Sequence, residues 1–530
     1  MITFDSLTLK AFTQETGDFL TGARIQKIQQ PTRRDFVLTV RKLGLTKKLY
    51  ININPQIYHI CFMARENEKR RRLVIPQKPP MFCMLLRKHL ENSKIYKIAQ
   101  PENERIFEIY VETSNELNEK IYLCLAIELM GKHSNVILYN ASTGIILGCA
   151  HNVGSEKSRE REVSGTLPYI YPPKQNKIDI LTYNGSVDYE NLSKYFHLFS
   201  KSFADKCKGK TLNELKSYVR LENITPSISD DFSEFSMFEE LLTVAVLQKN
   251  VNSMIDNYYT HHQETELFKT LKNHLASIVH QKLKRTNSSI EKMQSQILRE
   301  QNCDKYRLWG DIIMANMYQK KDYSSSLEAF DYENGQNITI PLDNTKTLKD
   351  NANKFYKLYT KGKTSRQKLT ELKSELLQSK IWLEHIDYSI NTAQSYEDLL
   401  EIKPELIEDS GAKTVEKKSV LPAKIIAGEN TFIYIGKNNR QNDYIVSKLA
   451  KDEDLWFHVG DCAGSHVLLK TQNYTDELIL RCAQLAKKYS SASDTSKVRV
   501  IYTKCKYLKK PPKANLGYVT YKNEKEVLID

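Results

Sequence analysis

The sequence predicts a multidomain protein of mixed α and β structure, in which two compact ends flank a long helical hairpin. Three observations support this fold class. The chain has 530 residues, of which 40% are hydrophobic, and that is enough for several separate cores. Strand-like runs occur near both ends, and between them apolar residues recur at the spacing of long amphipathic helices. We expect four pieces, covering residues 1–173, 174–254, 255–415 and 422–530.

Residues 1–173 are predicted to form an α+β domain. A helical start is followed by five strand-like runs, RDFVLTV, KLYININ, RIFEIYVE, KIYLCLAI and NVILYN. In RIFEIYVE, alternation places Glu108 on the face opposite Phe107 and Ile109, which predicts a half-buried strand. A proline pair suits the start of the helix PPMFCMLLRKHLEN, and Asn140–Gly144 forms a turn between two runs.

A second, smaller piece follows a proline-rich boundary at Pro168–Lys177. Its short helical patterns are interrupted by polar segments such as TPSISDD. We therefore predict a small helix-hairpin-helix-like module over residues 174–254.

Two long helices come next, and the second has the clearer pattern. Its seam steps by three and four residues through Leu369, Leu372, Leu376, Ser379, Leu383, Ile386, Ile390 and Ala393. The first helix, over about residues 255–302, has an imperfect seam. Between them lie the short helix RLWGDIIMANMYQ and the strand-like runs SSLEAFDY and QNITIPL. We predict an antiparallel coiled coil with a tip domain at about residues 303–345, and a dimerisation coiled coil is the alternative.

Residues 422–530 are predicted to form a compact α/β or α+β domain after a linker at Val415–Lys424. Strand-like runs such as TFIYIG, LWFHV and SHVLLK alternate with helical runs such as NDYIVSKLA and TDELILRCAQLAKKYSS. The last run, GYVTYKNEKEVLI, is predicted to be a hairpin that turns at Lys522–Glu524.

The net charge of +14 is concentrated at the two ends of the chain. Residues 1–173 hold 25 Lys and Arg against 17 Asp and Glu, and residues 422–530 hold 18 against 12. The middle is neutral, with 35 residues of each sign. Two basic ends indicate a polyanion held at two places, and we favour nucleic acid over a merely solvated basic surface.

Composition argues against several other classes of protein. No stretch approaches the roughly 20 apolar residues that cross a bilayer, and the N-terminus lacks the layout of a signal peptide. We therefore expect a cytoplasmic protein with no membrane partner. The nine cysteines include no CxxC pair, which favours reduced thiols over a disulfide scaffold or a zinc ribbon. We expect no cofactor.

The stretch LWFHVGDCAGSHVLLK, residues 455–470, concentrates reactive side chains. His458 and His466 could share a zinc ion with Asp461 and Cys462, but no further histidine or cysteine follows at a useful spacing. Ser465, His466 and Asp461 could form a hydrolase triad, but neighbouring residues on a strand point to opposite faces, and a GxSxG motif is missing. We therefore predict neither a metal site nor a catalytic residue.

RNA contact is the interpretation that we favour for this stretch. Its glycines would let RNA approach the backbone, while Trp456, His458 and His466 stack on bases or bond to them. The competing interpretation places Trp456 and His458 in the core of a strand. Nearby segments, GKNNRQND and KCKYLKKPPKAN, interleave basic, amide and aromatic residues, as RNA-binding surfaces do. The basic candidates for RNA contact are Lys437, Arg440, Lys506, Lys509, Lys510, Arg70, Arg71 and Arg72.

Several of these segments resemble the NFACT family. YIGKNNRQNDYIVSKLAKDEDLWFHVGDCAGSHVLLK and SKVRVIYTKCKYLKKPPKANLGYVTYKNEKEVLI are similar to its C-terminal RNA-binding domain. GARIQKIQQPTRRDFVLTVR, QPENERIFEIYVE and ELMGKHSNVILYN are similar to its N-terminal domain. LPYIYPP and LWGDIIMANMY fall between them in family order, so the resemblance spans essentially the whole chain.

The resemblance implies a function. The family includes bacterial ribosome quality-control factors, which bind large (50S) ribosomal subunits obstructed by peptidyl-tRNA. They recruit tRNA, which is tRNA(Ala) in bacteria, for template-free alanine tailing of the stalled chain, and the ribosome makes the peptide bond. The family's Asp-Arg pair for tRNA engagement matches Glu104 and Arg105. The acid is longer by one methylene, which changes its reach by roughly 1 Å.

The resemblance also implies a glycosylase-like N-terminal fold. Formamidopyrimidine-type DNA glycosylases share this scaffold, but Ile2 stands where they need a proline, and the paired cysteines of their zinc finger are missing. A DNA-lesion-binding protein is one alternative function, and a surface-associated fibronectin-binding adhesin is another. The missing signal segment and the unpaired thiols argue against the adhesin.

Overall fold

The computed structural model describes residues 4–530 except 115–118, 157, 159, 319–321, 332, 408–420, 461 and 513. Ile2, Asp461, Lys513 and most of the predicted linker therefore lie outside the described residues. The chain divides into two compact units, Met1–Leu267 and Phe268–Asp530.

Among the described residues of the first unit, nine strands form one antiparallel sheet. The strands are β1 (Arg24–Thr32), β2 (Asp35–Lys42), β3 (Leu45–Asn52), β4 (His59–Phe62), β5 (Lys94–Ala99), β6 (Ile106–Ser114), β7 (Lys120–Glu128), β8 (Asn135–Asn140) and β9 (Ile146–Cys149). Their order is β4-β3-β2-β1-β5-β6-β7-β8-β9. The helices are α1 (Ser6–Leu20), α2 (Arg65–Arg71) and α3 (Met81–Leu90). The five predicted strands, the proline-led helix and the turn at Asn140–Gly144 are confirmed.

The prediction that the strand RIFEIYVE is half-buried was wrong, because both of its faces are covered. Phe107 and Ile109 lie in the main core, whereas Ile106 belongs to a second cluster on the other face. Glu108 is also buried, and its carboxylate accepts hydrogen bonds from Tyr110 at 2.9 Å and from Tyr171 at 2.7 Å. Tyr171 lies well beyond β9 in the chain, so local alternation could not reveal this cover.

The predicted helical module contains strands as well as helices. Its elements are α4 (Leu192–Tyr195), α5 (Lys201–Lys206), α6 (Leu212–Arg220), β10 (Ser227–Ser229), β11 (Phe235–Ser236) and β12 (Ala245–Leu247). The segment TPSISDD was predicted to be a polar break, but its serines are buried in β10, which pairs with both other strands. Phe203, Leu215 and Phe238 belong to the same core as the nine-stranded sheet. The boundary near residue 173 stays a prediction.

The two predicted long helices are α7 (Val251–Gln301) and α9 (Leu348–Thr392). The Lys272 ammonium donates to the Asn391 carbonyl at 2.8 Å, and Lys373 donates to the Gln294 side chain. The later residue of α7 pairs with the earlier residue of α9, so the two helices run antiparallel. Between them, α8 (Asp304–Ala315), β13 (Ser326–Asp331) and β14 (Gln336–Pro341) form the predicted tip.

The predicted seam of α9 is buried over its second half. Leu383, Ile386 and Ile390 pack with Leu275 of α7, and α10 (Tyr396–Leu406) adds further apolar side chains to this cluster. Leu372, in the first half of the seam, is 46% exposed. The coiled-coil winding itself stays a prediction.

The C-terminal part forms a six-stranded antiparallel sheet among its described residues, with one helix packed on it. Its elements are β15 (Ala423–Gly428), β16 (Thr431–Ile435), α11 (Asn439–Tyr444), β17 (Leu455–Val459), β18 (Val467–Lys470), α12 (Asp476–Lys488), β19 (Val498–Lys504) and β20 (Lys525–Ile529). The strand order β15-β16-β18-β17-β19-β20 identifies α+β as the correct one of the two predicted classes.

The predicted terminal hairpin was wrong. β20 pairs with β19, whereas Thr520 forms a backbone bridge with Lys509. The reason is that β19 offers a long apolar partner, so the chain passes Thr520 and returns to the sheet instead of folding on itself. Residues 516–521 consequently form a strap beside the sheet.

The nine cysteines are free thiols, as predicted. In the part of the chain that the structure describes, each helix is too short or too polar to traverse a lipid bilayer.

Candidate nucleic-acid interfaces

In the first unit, several connections between strands of the large sheet lie together at one end of the strands, which we call the edge below. The amide of Ile53 donates to the Arg34 carbonyl at 2.9 Å, which joins the β1–β2 turn to the chain after β3. The Asn135 side chain donates to the His151 carbonyl at 2.8 Å, which joins the start of β8 to the chain after β9. Gly131 has φ +64°, and a Cβ there would lie 3.8 Å from the Tyr58 ring. The β3–β4 and β7–β8 connections therefore touch at this edge.

The predicted tRNA pair, Glu104 and Arg105, lies at this edge just before β6. The Arg105 guanidinium donates to the Tyr58 hydroxyl at 2.9 Å and lies 5.9 Å from the centre of that ring. Both acid and arginine are half-buried. Tyr58 is itself buried, so it fixes one side of the guanidinium and leaves the rest of the fork for a partner.

The backbone that precedes the pair is in an unusual conformation. Glu102 and Asn103 have φ +48° and +58°, a region that costs most side chains free energy. The side-chain amide of Gln100 bridges the carbonyls of Ser6 and Glu104, each at 2.9 Å, and thereby holds this turn in place. Strain of this kind persists where the surroundings enforce it, and it often marks functional sites.

The edge is electropositive. We define the strand-end cluster as Arg33, Arg34, Arg105, Lys132 and Lys177. Arg33, Arg34 and Lys132 are exposed. Burial lowers the pKa of Lys177, Glu104 raises it and Arg105 lowers it, so these charges face one another. Asp35, an acid next to the cluster, is already satisfied by the Tyr50 hydroxyl at 2.6 Å. Exposed cations with one oriented guanidinium suit phosphate groups.

The run Arg70–Arg72 does not present all three of its predicted RNA contacts to a partner. Arg71 is buried and pairs with Asp256 at 2.9 Å, so it is not available to a phosphate. Arg70 pairs with Glu264 at 2.7 Å near the surface. Arg72 ends α2 in the left-handed conformation, with φ +51°.

In the second unit, the predicted lysines lie on the surface, and acids hold two of them. Lys506 pairs with Glu453 at 2.8 Å, and Lys510 pairs with Asp443. Lys509 is exposed, and no ion pair among the described residues engages its ammonium group. Lys437 is also exposed.

Arg440 is half-buried beside Glu405. Burial raises the pKa of Glu405 to about 7, whereas a hydrogen bond from Asn439 and the charge of Arg440 act in the opposite direction. Arg440 is therefore partly engaged by its own fold.

Trp456 and His466 are not on the surface, so the alternative that placed Trp456 in the core of a strand is confirmed, and Trp456 and His466 are not open to the predicted RNA contact. They are 1% and 3% exposed, because β17 and β18 lie in the middle of the six-stranded sheet. Together with His458 they line a cavity of about 560 Å³, which we call the histidine cavity. His385 of α9 completes the group, with its ring 5.8 Å from that of His458 and inclined by 18°.

Four buried polar atoms on side chains of the histidine cavity lack a hydrogen-bond partner among the described residues. They are Trp382 Nε1, Trp456 Nε1, His458 Nε2 and His466 Nδ1. Buried polar atoms of folded proteins are usually bonded to protein, ordered water or a ligand, so the cavity suits a partner with hydrogen-bonding groups.

The arrangement does not support the metal site or the triad. No set of three or more His, Cys, Asp or Glu within the described ranges is placed to hold a metal ion, although Asp461 lies outside them. Ser465 is buried, and its amide donates to the Tyr489 carbonyl at 2.9 Å in a strand-like connection. The described histidines are placed for hydrogen bonding and ring contacts.

The histidines of the cavity should make this unit sensitive to acid. Burial lowers the pKa of His458 to about 4, and burial together with His458 lowers that of His385 to about 3. Since the unfolded value lies near 6.5, the unfolded chain takes up protons first as the pH falls. The stabilisation is therefore complete above about pH 6.5 and is lost toward pH 4, by about 1.4 kcal/mol per pH unit for each such histidine.

Urea denaturation at pH 7 and pH 5, followed by tryptophan fluorescence, checks this prediction. His458→Gln should reduce the loss of stability between the two pH values. His274→Gln is the matched control, because His274 is an exposed histidine on α7, and it should leave the loss unchanged. An identical pH dependence in all three proteins would contradict the assignment.

Sequence reasoning missed His385 and Trp382 as parts of this site. They lie on α9 beside the seam residues Leu383 and Ile386, where heptad spacing draws attention to the apolar positions. The available signal was a tryptophan and a histidine three residues apart on an otherwise polar face.

Comparisons with known proteins cover both units. Residues 5–209 and 185–420 match the NFACT N-terminal and middle domains, and residues 424–523 match the NFACT protein RNA binding domain. The chain is 29% identical over 569 residues to the "Rqc2 homolog RqcH" of Bacillus subtilis (strain 168), with 100% of this chain and 98% of that protein covered.

Two other matches are partial. The chain is 30% identical over 181 residues to the "Archaeal Rqc2 homolog aRqcH" of Methanocaldococcus jannaschii, covering 33% of this chain and 24% of that protein. The structure of the N-terminal of the fibronectin/fibrinogen-binding protein from Streptococcus suis is 26% identical, with 49% of this chain and 100% of that chain covered and a TM-score of 0.43. Because the domain matches run from residue 5 to residue 523 in family order, the chain belongs to the NFACT family.

Proposed function

We propose that this protein is a ribosome quality-control factor, which binds large ribosomal subunits obstructed by peptidyl-tRNA. The observation that carries the proposal is the full-length similarity to RqcH, which covers 98% of that protein. The basic charge at both ends of the chain supports it, because ribosomal and transfer RNA are polyanions.

The strand-end cluster is the proposed contact for tRNA. Its exposed cations would bind the phosphate backbone, while the Arg105 guanidinium, anchored at Tyr58, would make a directed contact. Glu104 lies beside it and would orient the arginine or accept a base hydrogen bond. We expect tRNA(Ala) to be the recruited species and template-independent alanine tailing of the stalled chain to be the outcome.

The C-terminal domain, predicted over residues 422–530, is the proposed contact for ribosomal RNA. Lys437 and Lys509 are exposed, and Lys506 and Lys510 lie on the same domain, which matches the RNA-binding domain of the family. The proposed division of the chain remains 1–173, 174–254, 255–415 with a tip at about 303–345, and 422–530.

We propose that the chain makes no bond itself and that the ribosome forms each peptide bond. The strand-end cluster offers cations, the Tyr58 ring and Glu104, and the C-terminal domain offers cations, aromatic rings and buried imidazoles. These groups bind and position RNA, and the proposed role requires no more of them.

Sedimentation tests the proposal. Tagged full-length chain from cells with induced stalling should migrate with large subunits in low and moderate salt. Its association should weaken as salt rises, because phosphate contacts release counterions. Chain that stays at the top of the gradient at both salt concentrations would contradict the proposal.

A further inference from the structure

The histidine cavity has the dimensions and walls of a site for a planar heteroaromatic group. Its volume of about 560 Å³ lies in the range of small-molecule sites. The rings of His385, His458 and Trp456 are nearly parallel in succession, with interplanar angles of 18° and 6°. Tyr521 lies 5.8 Å from Trp456 at the side of the cavity, and it is partly exposed.

The unsatisfied atoms specify a partner with hydrogen-bonding groups along its edge. The Trp456 indole can only donate, so the partner must present an acceptor. His458 Nε2 and His466 Nδ1 can each donate or accept according to tautomer, because burial keeps both imidazoles neutral. A nucleobase offers acceptors and donors in one plane, as this set requires.

The charges around the histidine cavity suit an uncharged base inside it and phosphate groups outside it. The described lining residues include one carboxylate, Glu384, and no lysine or arginine, so the interior suits an uncharged group. Cations lie at its margin. Arg499 lies beside Gly460 but pairs with Glu526 at 3.2 Å, whereas Lys509 is joined by backbone hydrogen bonds of 2.8 Å to Thr520 in the strap. Lys522 follows Tyr521 and is exposed.

We propose that the histidine cavity receives one unstacked base of a bound single RNA strand, with the neighbouring phosphates held at its margin by Lys509 and Lys522. This inference rests on the proposed RNA-binding function and specifies how the C-terminal domain would bind single-stranded RNA. The base contacts the partly exposed rings of His458 and Tyr521, and its edge offers hydrogen bonds to the buried polar atoms. Most of the affinity then depends on the presence of a base, not on phosphate charge alone.

Tryptophan fluorescence of the full-length chain can detect an occupant directly. The chain has three tryptophans, of which Trp382 and Trp456 line the cavity. In a Trp309→Phe background, both remaining tryptophans therefore report on the site. The probes are the pentaribonucleotide ACGUA, the same ribose-phosphate backbone without its five bases, and the four free nucleosides. Excitation at 295 nm limits absorption by the probes.

We expect saturable quenching with ACGUA and at least tenfold weaker binding of the backbone without bases. His458→Phe keeps a ring but removes Nε2, and it should weaken ACGUA binding at least tenfold. Ala463→Leu fills the cavity without removing a polar atom and should have a similar effect. His280→Ala, a change at an exposed histidine on α7, should leave binding unchanged.

Equal binding of ACGUA and of the backbone without bases overturns the inference, and so does an absence of quenching by ACGUA. Both results come from the protein in which no cavity residue is changed, so they do not depend on whether the variants fold. Quenching by free nucleosides but not by ACGUA would identify a free nucleoside as the occupant and would also overturn it. If the chain sediments with large subunits while ACGUA fails to quench, the inference fails and the proposed function stands. If the chain binds neither subunits nor ACGUA, the proposed function itself fails.

Discussion

Arg71→Ala is expected to lower the free energy of unfolding of the first unit by about 3–5 kcal/mol. The side chains of Arg71 and Asp256 are 0% and 2% exposed, and the ion pair between them measures 2.9 Å. Arg71 also donates to Gln263 and to His59, and its guanidinium lies 4.4 Å from the centre of the Tyr50 ring. Removal of the cation leaves the Asp256 carboxylate buried without its charge partner.

The surrounding groups show that the site depends on this cation. Burial, which persists in the variant, is the largest cause of the low pKa of the His59 imidazole, so His59 is a poor substitute for the lost positive charge. Asp256 still accepts from the amide of Ala64 and from the Asn67 side chain, each at 2.8 Å, which fixes the carboxylate in place. It therefore cannot move to water.

Arg70→Ala is the matched control, one residue earlier on the same helix. Arg70 pairs with Glu264, but their side chains are 42% and 35% exposed, so the change should alter stability by about 0–1 kcal/mol. Urea denaturation of the three proteins measures both effects. Similar losses for Arg70→Ala and Arg71→Ala would contradict the assignment of Arg71 to the core.

Arg105→Ala is expected to weaken tRNA association about 10- to 100-fold and to abolish alanine tailing. A hydrogen bond to a charged group contributes about 1.5–3 kcal/mol, and the slope of log affinity against log salt should decrease by about 1. Association with large subunits should persist, because other contacts supply it. Binding of purified tRNA at several salt concentrations measures the first effect, and tail length on a stalled reporter measures the second.

Two further variants separate charge from geometry. Arg105→Lys keeps the positive charge but loses the planar guanidinium. The slope of log affinity against log salt should therefore match that of the unaltered protein, while the affinity for tRNA stays lower. Arg24→Ala removes an equal charge at the far end of β1, where Arg24 donates to the Asn92 carbonyl, and it should leave tRNA binding unchanged. Normal tailing in Arg105→Ala would remove the site assignment.

Local patterns predicted most of the secondary structure. Strands with alternating or continuous apolar runs, the helical seam and the tip were found from spacing alone, because period and turn residues act within a few positions. Burial of polar groups was not predictable in this way. Glu108 is covered by Tyr171 from a distant segment, and Arg71 by Asp256 of α7. Both partners are remote in sequence.

For the candidate sites too, the sequence indicated single residues but not the partners that are remote in the chain. Arg105 was found through resemblance and lies where a phosphate can reach it, whereas its anchor Tyr58 comes from another connection of the sheet. Trp456 and His458 were singled out from their stretch, but the same residues fit an RNA contact and the core of a strand equally well until strand order is known. β17 lies between β18 and β19, and this position buries Trp456.

Sequencing of the RNA crosslinked to the full-length chain in cells with induced stalling tests the central claim most directly. We predict enrichment of large-subunit ribosomal RNA and of tRNA over an untagged control, with tRNA lost and ribosomal RNA retained in Arg105→Ala. Enrichment of neither RNA above the control would contradict a role on the ribosome.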